Sequence, residues 1–387
     1  MTVNKLTKAD YDEFIDLADL VFCQNLRKVD FEQDMPYIFK NDDINISWQY
    51  GLRNDAGKLC ASVGVIPYTY KIGFASFKAA VITNVTTHTK HMGKGYMQKI
   101  LDRVMHDLNE NGTELVLLHG HRERYRFTGF DMAGTTFSAL FKSYNIPSRL
   151  KRGEMLKFTF EEISASDTDK IRFCLDLYEK EPQGFERTSA DFIPRQKTWQ
   201  GKTYLVINSD GERVGYLNYY DRFGGPGIRE ILLENPENAA DVIYAFMLEK
   251  NIPSTPVSFS PFNKALVKSI YEAAEEITLA QTNRLNLLKP EGFIEACLNL
   301  KQESGIYMPE GKLIIDCKFG KLLIENNGEK FMVAKTDETA DIKIPDSELY
   351  TFLFGPLSAD VPLFSDALKE KSPWFPLPFY VHATDLY

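Results

Sequence analysis

A chain of 387 residues is too long for one hydrophobic core, and at about 150 residues per domain it should divide into two or three. Apolar residues make up 44% and charged residues 26%, which excludes a disordered chain, a collagen and a coiled coil. The formal net charge of −9 argues against nucleic acid or an anionic membrane surface as partner and favours a cationic one.

The opening stretch, Met1 to Phe14, has neither the basic nor the apolar region of a secretory signal. No apolar run reaches the roughly eighteen residues of a membrane span, so no transmembrane helix is expected. Cys23, Cys60, Cys174, Cys297 and Cys317 are odd in number and widely spaced, which fits reduced thiols in a cytoplasmic protein.

In chain order, Tyr11, Phe14, Ile15, Leu17, Ala18 and Val21 recur at helical spacing behind Lys8-Ala9-Asp10. Ile46 to Leu52 and Leu59 to Tyr68 read as strands around the turn Asn54-Asp55-Ala56-Gly57, and Phe77 to Val85 as a third. Met97, Ile100, Leu101, Val104, Met105 and Leu108 form one apolar helical stripe, closed by Asn111-Gly112. Glu114 to His119 then reads as a short buried strand. Strand, loop, helix and strand in this order predict an α/β layer.

Ile146 to Gly153 is basic and carries a proline, which predicts a linker. Beyond it, Tyr204 to Asn208, the turn Ser209 to Glu212, and Val214 to Tyr219 repeat the earlier strand–turn–strand order. Val242, Ile243, Phe246 and Met247 mark a second helical stripe, but Leu233 to Ala240 before it contains no glycine. The last hundred or so residues change character. Gly292 to Leu300 predicts a helix; Leu313 to Asp316, Leu322 to Glu325 and Phe331 to Ala334 predict strands. Asn327-Gly328 signals a type I′ hairpin turn. Ile342 and Ile344 mark another strand, and Ser347 is placed to cap a helix through Phe354. The final segment, Ser372 to Tyr387, is apolar enough to dock on the fold.

The chemistry points to Lys90-His91-Met92-Gly93-Lys94-Gly95, followed by Tyr96 at the start of the strongest helix. Two glycines let backbone approach a ligand, and a helix N-terminus offers unpaired N–H groups to a pyrophosphate. The bland reading is a glycine turn with scattered surface lysines. Thirty residues on comes Tyr125-Arg126-Phe127-Thr128-Gly129-Phe130. Tyr125 is either a proton donor or one rim tyrosine among 19. His119 and His121 lack a third ligand at zinc spacing, so no metal is expected. Arg122, Arg124 and Arg126 form a basic edge that would suit phosphates. Lys318 and Lys321, flanking Phe319-Gly320, most simply belong to a turn.

The glycine loop opening a helix, with Lys90 where the family's Q/R-x-x-G-x-G/A pattern has Gln or Arg, then a strand and Y-x-x-x-G-F, together resemble the GNAT superfamily of N-acetyltransferases. The order of three parts is similar to the enhanced intracellular survival (Eis) family. That resemblance implies α/β mixed sheets arranged as tandem GNAT-like domains followed by a sterol-carrier-protein-like α+β domain. Residues 1–150 would be the acetyltransferase domain, 151–285 a second GNAT-like domain without the coenzyme A loop, and 286–387 the carrier-like domain. It implies acetyl-CoA as cosubstrate, held by Thr83, Asn84 and Val85, by Lys90, His91, Met92, Gly93, Lys94, Gly95 and Tyr96, and by Gly120 and His121. It also implies Tyr125 as general acid, the carboxylate of Tyr387 as general base, a small-molecule or peptide amine as acceptor, and a homo-oligomer, a hexamer. The competing expectation is a non-enzymatic scaffold binding an apolar ligand.

Overall fold

The computed structural model describes residues 2–25, 29–153, 157–221, 226–281, 283–355 and 373–386. Among these, three sheets organise the chain. The first has eight strands, in the order Val3–Lys5, Gln49–Arg53, Leu59–Ile72, Ala75–Thr87, Leu115–Leu118, Asn283–Leu287 and Asp131–Ala133, with Gln183–Phe185 paired to the end of Leu59–Ile72. The second has seven, Glu276–Ala280, Thr136–Lys142, Ser254–Phe259, Pro226–Leu233, Arg213–Asp221, Lys202–Asn208 and Phe158–Glu162. The third has four, Phe331–Lys335, Gly320–Asn326, Gly311–Cys317 and Ile342–Lys343. The mixed α/β class read from the sequence is the class observed.

Sheet membership does not switch at residues 150 and 285. Thr136–Lys142 pairs in the second sheet with Ser254–Phe259, and Asn283–Leu287 returns to the first between Leu115–Leu118 and Asp131–Ala133. The first two sheets therefore each hold a strand lent from the other's stretch of sequence. Both contain a parallel pair bridged by a helix: Ala75–Thr87 and Leu115–Leu118 around Tyr96–Glu110, and Pro226–Leu233 and Ser254–Phe259 around Ala239–Glu249. Alternating side chains send Ala80, Ile82, Val116 and Leu118 toward Tyr96–Glu110, while Ala79, Val81, Leu115 and Leu117 face the other way. On that second face the core is continuous with the third sheet, where Phe293 meets Phe77, Phe354 and Phe379 with ring centroids 5.3, 6.0 and 5.7 Å apart.

Four local expectations need correcting. Ile46 and Ser47 belong to a short helix, Asp43–Ser47, because the Asp42 carboxylate accepts the Asn45 amide at 2.8 Å; the strand begins at Gln49. The stretch read as a linker is a helix, Ile146–Arg152, with its proline in the first turn and Gly153 ending it at φ +69°. Asn327-Gly328 is no type I′ pair, since only Gly328 has positive φ. Residues 327–330 form a four-residue loop between Asn326 and Phe331, tied by the Asn327 side chain to the amides of Glu329 and Lys330. Ser347 lies inside the helix Asp346–Phe354, whose cap position is Pro345.

The docked tail is observed for residues 373–386. Trp374, Phe375, Leu377, Phe379, Tyr380 and Val381 are all buried. Thr135 donates its amide to the Phe379 carbonyl at 3.0 Å, beside Gly134, where any Cβ would sit 2.7 Å from that oxygen. The tail's last described turn ends in a buried charge cluster. Arg187 donates to both oxygens of Glu230 at 2.8 and 2.7 Å and to Asp385 at 2.8 and 3.2 Å, with its guanidinium 3.7 Å from the Tyr178 ring centroid. Those contacts hold the Glu230 carboxyl well below the usual carboxylate range against strong desolvation. Glu181, desolvated and facing the Glu230 charge, is instead pushed up to about 7.

Removing the arginine takes away the cation that Glu230 and Asp385 share, leaving Asp385 with Arg195 at 3.6 Å and Glu230 with neutral donors, so R187M should destabilise the fold by about 3 kcal/mol, read by urea denaturation. The raised Glu181 pKa means the folded state binds more protons than the unfolded state between the ordinary carboxyl value and about 7. Stability therefore falls as pH rises through that window. The buried His382 imidazole, with a lowered pKa, has the opposite dependence: its stabilising contribution is lost as pH falls below 6.5. Above 6.5 the His382 contribution no longer changes, so E181Q should melt at a higher temperature than the parent protein at pH 8 and lose that advantage toward pH 5.

Candidate active site

The parallel strands Ala75–Thr87 and Leu115–Leu118 are in register from Ala79–Leu115 to Ile82–Leu118, and then they part. From Thr83 onward the first strand pairs only with Leu59–Ile72, and that ladder slips between Ser62 and Gly64. The extra residue at the slip is taken up around Asn84, which adopts φ +48°, a left-handed value that asparagine tolerates better than most residues. Asn84 is buried, with its Nδ2 3.4 Å from the Ser62 hydroxyl and its Oδ1 without a partner among the described residues. Thr83, Asn84 and Val85 thus line a wedge between diverging strands.

The loop from His88 to Gly95 crosses the mouth of this wedge. Gly93 and Gly95 have φ of +75° and +73°, and a Cβ on either would meet nothing within 4 Å. Conformation, not crowding, demands glycine there. Gly95 is the N-cap of the 15-residue helix Tyr96–Glu110 and makes no side-chain cap, so the first helical amides point outward. Lys90, Met92 and Lys94 are exposed around them. His91 stacks on Tyr96 with centroids 5.7 Å apart and approaches the Lys94 amine at 3.2 Å. Desolvation first, and then Lys94, His88 and Lys90, keep the His91 imidazole below its ordinary pKa. This loop offers backbone amides and lysine charge together, a fit for a diphosphate.

Tyr125 ends the short helix Arg122–Tyr125, which has His121 at its N-cap position. It is 5% exposed and shares one apolar cluster with Ile82, Tyr96, Leu118 and Phe130. The phenol, the wedge and the loop's helix are therefore held by the same packing. Burial raises the Tyr125 pKa, partly opposed by Arg124, so the hydroxyl keeps its proton at neutral pH. Gly120 makes room for the ring: a Cβ there would fall 2.7 Å from Tyr125 Cε2. Gly129 has φ +88° and lies against Asn286, whose amide donates to the Thr128 carbonyl at 3.2 Å.

Several of these contributors left no mark in the sequence. Asn286 reaches the tyrosine loop from a strand more than 150 residues away in sequence. Arg122 of the basic edge is held by the buried Asp131, at 2.6 and 3.2 Å. Gln49 is fully buried beside Gly64 and Thr83, with both amide atoms unpartnered among the described residues. No periodicity flags a lone glutamine in a strand. His119, just past the strand, is exposed, and desolvation of its ring followed by Arg284 lowers its pKa. Among the described residues no three His, Cys, Asp or Glu side chains gather to hold a metal ion. Tyr387 lies outside the described residues.

Residues 2–133 match the family model described as an acetyltransferase (GNAT) domain. Comparison with curated protein sequences finds no match. Among solved structures, the chain is similar to a protein of Enterococcus faecalis V583 described as a probable N-acyltransferase, with TM-score 0.71 and 17% identity over 100% of this chain and 99% of that one. It is also similar to a GCN5-related N-acetyltransferase from Kribbella flavida, with TM-score 0.65 and 14% identity over 100% and 98% of the two chains. Eis1 from Mycobacterium abscessus matches with TM-score 0.64 and 12% identity, over 100% of each chain. At these identities the likeness shows a shared fold along the whole length.

The ring contact at Gly120 gives a test of the site's geometry. G120A should displace the Tyr125 ring and lower turnover by about 10-fold or more, a larger loss than any in coenzyme affinity. Parallel steady-state kinetics and titration calorimetry would check it.

Proposed function

We propose that the protein transfers the acetyl group of acetyl-CoA to a primary amine of a cationic acceptor by direct attack. This reading starts from what the chain carries: a GNAT acetyltransferase domain, and with it an enzyme of acyl transfer. The observation that carries it further is the parting of the strands after Ile82 and Leu118, with the first residue of the glycine-opened helix, Tyr96, and the buried Tyr125 packed in the same apolar cluster as both.

In this mechanism the diphosphate of the coenzyme rests on the amides from Gly93 to Tyr96, with Lys90 and Lys94 adding charge, while the His91 and Met92 amides close the preceding turn on the His88 and Thr89 carbonyls. The thioester lies along Thr83, Asn84 and Val85, near Gly120 and His121, where a strand N–H polarises its carbonyl. The neutral amine adds to that carbon, the C–S bond breaks, and Tyr125 protonates the departing sulfur. A phenol whose pKa lies above about 10 still has an acidity near that of a thiol at about 8.5, so the proton passes without a large mismatch. The carboxylate of Tyr387 takes up the ammonium proton through water. Asp385, two residues earlier, is held by Arg187 at 2.8 and 3.2 Å.

The net charge of −9 supports a cationic acceptor, an aminoglycoside-like amine, a polyamine or a lysine side chain. The whole-length likeness to Eis1 supports the Eis-like plan, with a second GNAT-like domain over 151–285 and a sterol-carrier-like domain over 286–387; hexameric assembly and a cytoplasmic location belong to the same reading by family resemblance. The alternative of an apolar-ligand scaffold is less well supported, because Phe293, Phe354, Trp374 and Phe379 of the chain itself fill the apolar interior of the last domain.

Y125F should lower turnover by about 10² with coenzyme affinity nearly unchanged, measured by thiol release and calorimetry. G95A, forcing a side chain into the left-handed region, should weaken coenzyme binding by about 5- to 10-fold with little loss of turnover at saturation. An unchanged rate in Y125F removes the phenol from the mechanism. Unchanged affinity in G95A removes the loop.

A further inference from the structure

Lys318 and Phe319 form the two-residue turn between the strands Gly311–Cys317 and Gly320–Asn326, where Cys317 pairs with Gly320. A turn lysine ordinarily extends into water. This one folds back on the first domain: its amine donates to the Gly129 carbonyl at 3.0 Å and lies 4.4 Å from the Tyr350 ring centroid. It lines a cleft of about 450 Å³ between the Tyr125 loop and the start of the helix Asp346–Phe354, together with Arg126, Phe127, Phe130, Asp131 and Tyr350. Burial brings the Lys318 amine down to about 8, with Asp346, Asp131 and Cys317 pulling the other way.

We propose that the Lys318 ε-amine is itself an acyl acceptor, a modification site that takes an acyl group from a small activated donor entering this cleft. The neutral nitrogen forms a bond to the donor's carbonyl carbon. The bond from that carbon to the leaving sulfur breaks, and the proton lost by nitrogen goes through solvent to the thiolate. Lysine and thioester become amide and thiol, with no other reactant. The amide N–H can still donate to Gly129, but the positive charge facing Tyr350 is gone. Arg126 offers a cation to the donor's phosphate. The acyl-CoA source of the group rests on the functional reading above; an acyl phosphate would supply the same chemistry.

Lys301 provides an internal control. Its amine is lowered by burial to the same value, about 8, and donates to the Pro376 carbonyl at 2.9 Å, but it does not line this cleft. Lys58 is an exposed reference. The full chain would be incubated at pH 8 with acetyl-CoA or with acetyl phosphate, and occupancy at each lysine read by mass spectrometry of Glu-C peptides.

Occupancy at Lys318 should exceed that at Lys301 and Lys58 by about 10-fold or more with at least one donor. Labelling by acetyl-CoA alone assigns the thioester as the source, and labelling by both assigns a cleft open to any small acyl donor. K318R, which keeps the charge and adds no acylable amine, should fold with unchanged circular dichroism and incorporate about one acyl group fewer per chain. Equal labelling of Lys318 and Lys58, or of Lys318 and Lys301, overturns the proposal. Preferential labelling of Lys318 without transfer to any free amine upholds it and counts instead against the acceptor reading.

Discussion

Two parallel strands that cannot stay together form the candidate site. Their pairing is regular while both run straight, from Ala79–Leu115 to Ile82–Leu118. The ladder on the other side then slips by a residue at Gly64 and Asn84 turns left-handed, so the first strand changes course while the second leaves the sheet at His119. Backbone groups from Thr83 to Val85 lose a strand neighbour in a buried place. A polar ligand satisfies such groups at little cost, whereas leaving them unmet is expensive. The loop, the helix start and Tyr125 are arranged around that wedge by a single apolar cluster, so a change at any one of them is transmitted to the others.

The rest of the chain acts as a frame for the wedge. Asn283–Leu287 comes back from beyond the second sheet to close the first, and Asn286 then braces the loop after Tyr125. The apolar tail passes Leu353, Thr135 and Gln183, making a backbone contact with each of the three sheets' surroundings. It ends beside Arg187, Glu230 and Asp385. Burying such ions is costly, and their mutual geometry recovers much of that cost only when all partners are present. This cluster therefore acts as a conditional lock: the tail is held in one register, or the charges are left unmatched.

Elements with a strong period were legible in the sequence. The stripe from Met97 to Leu108, the left-handed glycine before it and the short apolar strand after it follow from local preference, and residues near one another in sequence decide them. The motif Tyr125 to Phe130 stood out for the same reason. Local reading failed where capping competed with periodicity, as at Ile46, or where a proline opened a helix that looked like a linker at Ile146–Arg152. At Asn327 a strong dipeptide signal lost to a longer loop closed by the asparagine side chain.

By itself the sequence determined the α/β class, the glycine-opened helix, the candidate phenol and the docking of the tail, because each depends on spacing or on apolar content within a short window. The tertiary structure alone decided that Thr136–Lys142 and Asn283–Leu287 change places between sheets, that Asn286 and Gly120 set the tyrosine, and that Lys318 leaves its turn for the first domain. Those facts arise from contacts between residues far apart in the chain. Many pairings are compatible with each local pattern, and only the simultaneous burial of all the apolar faces selects one.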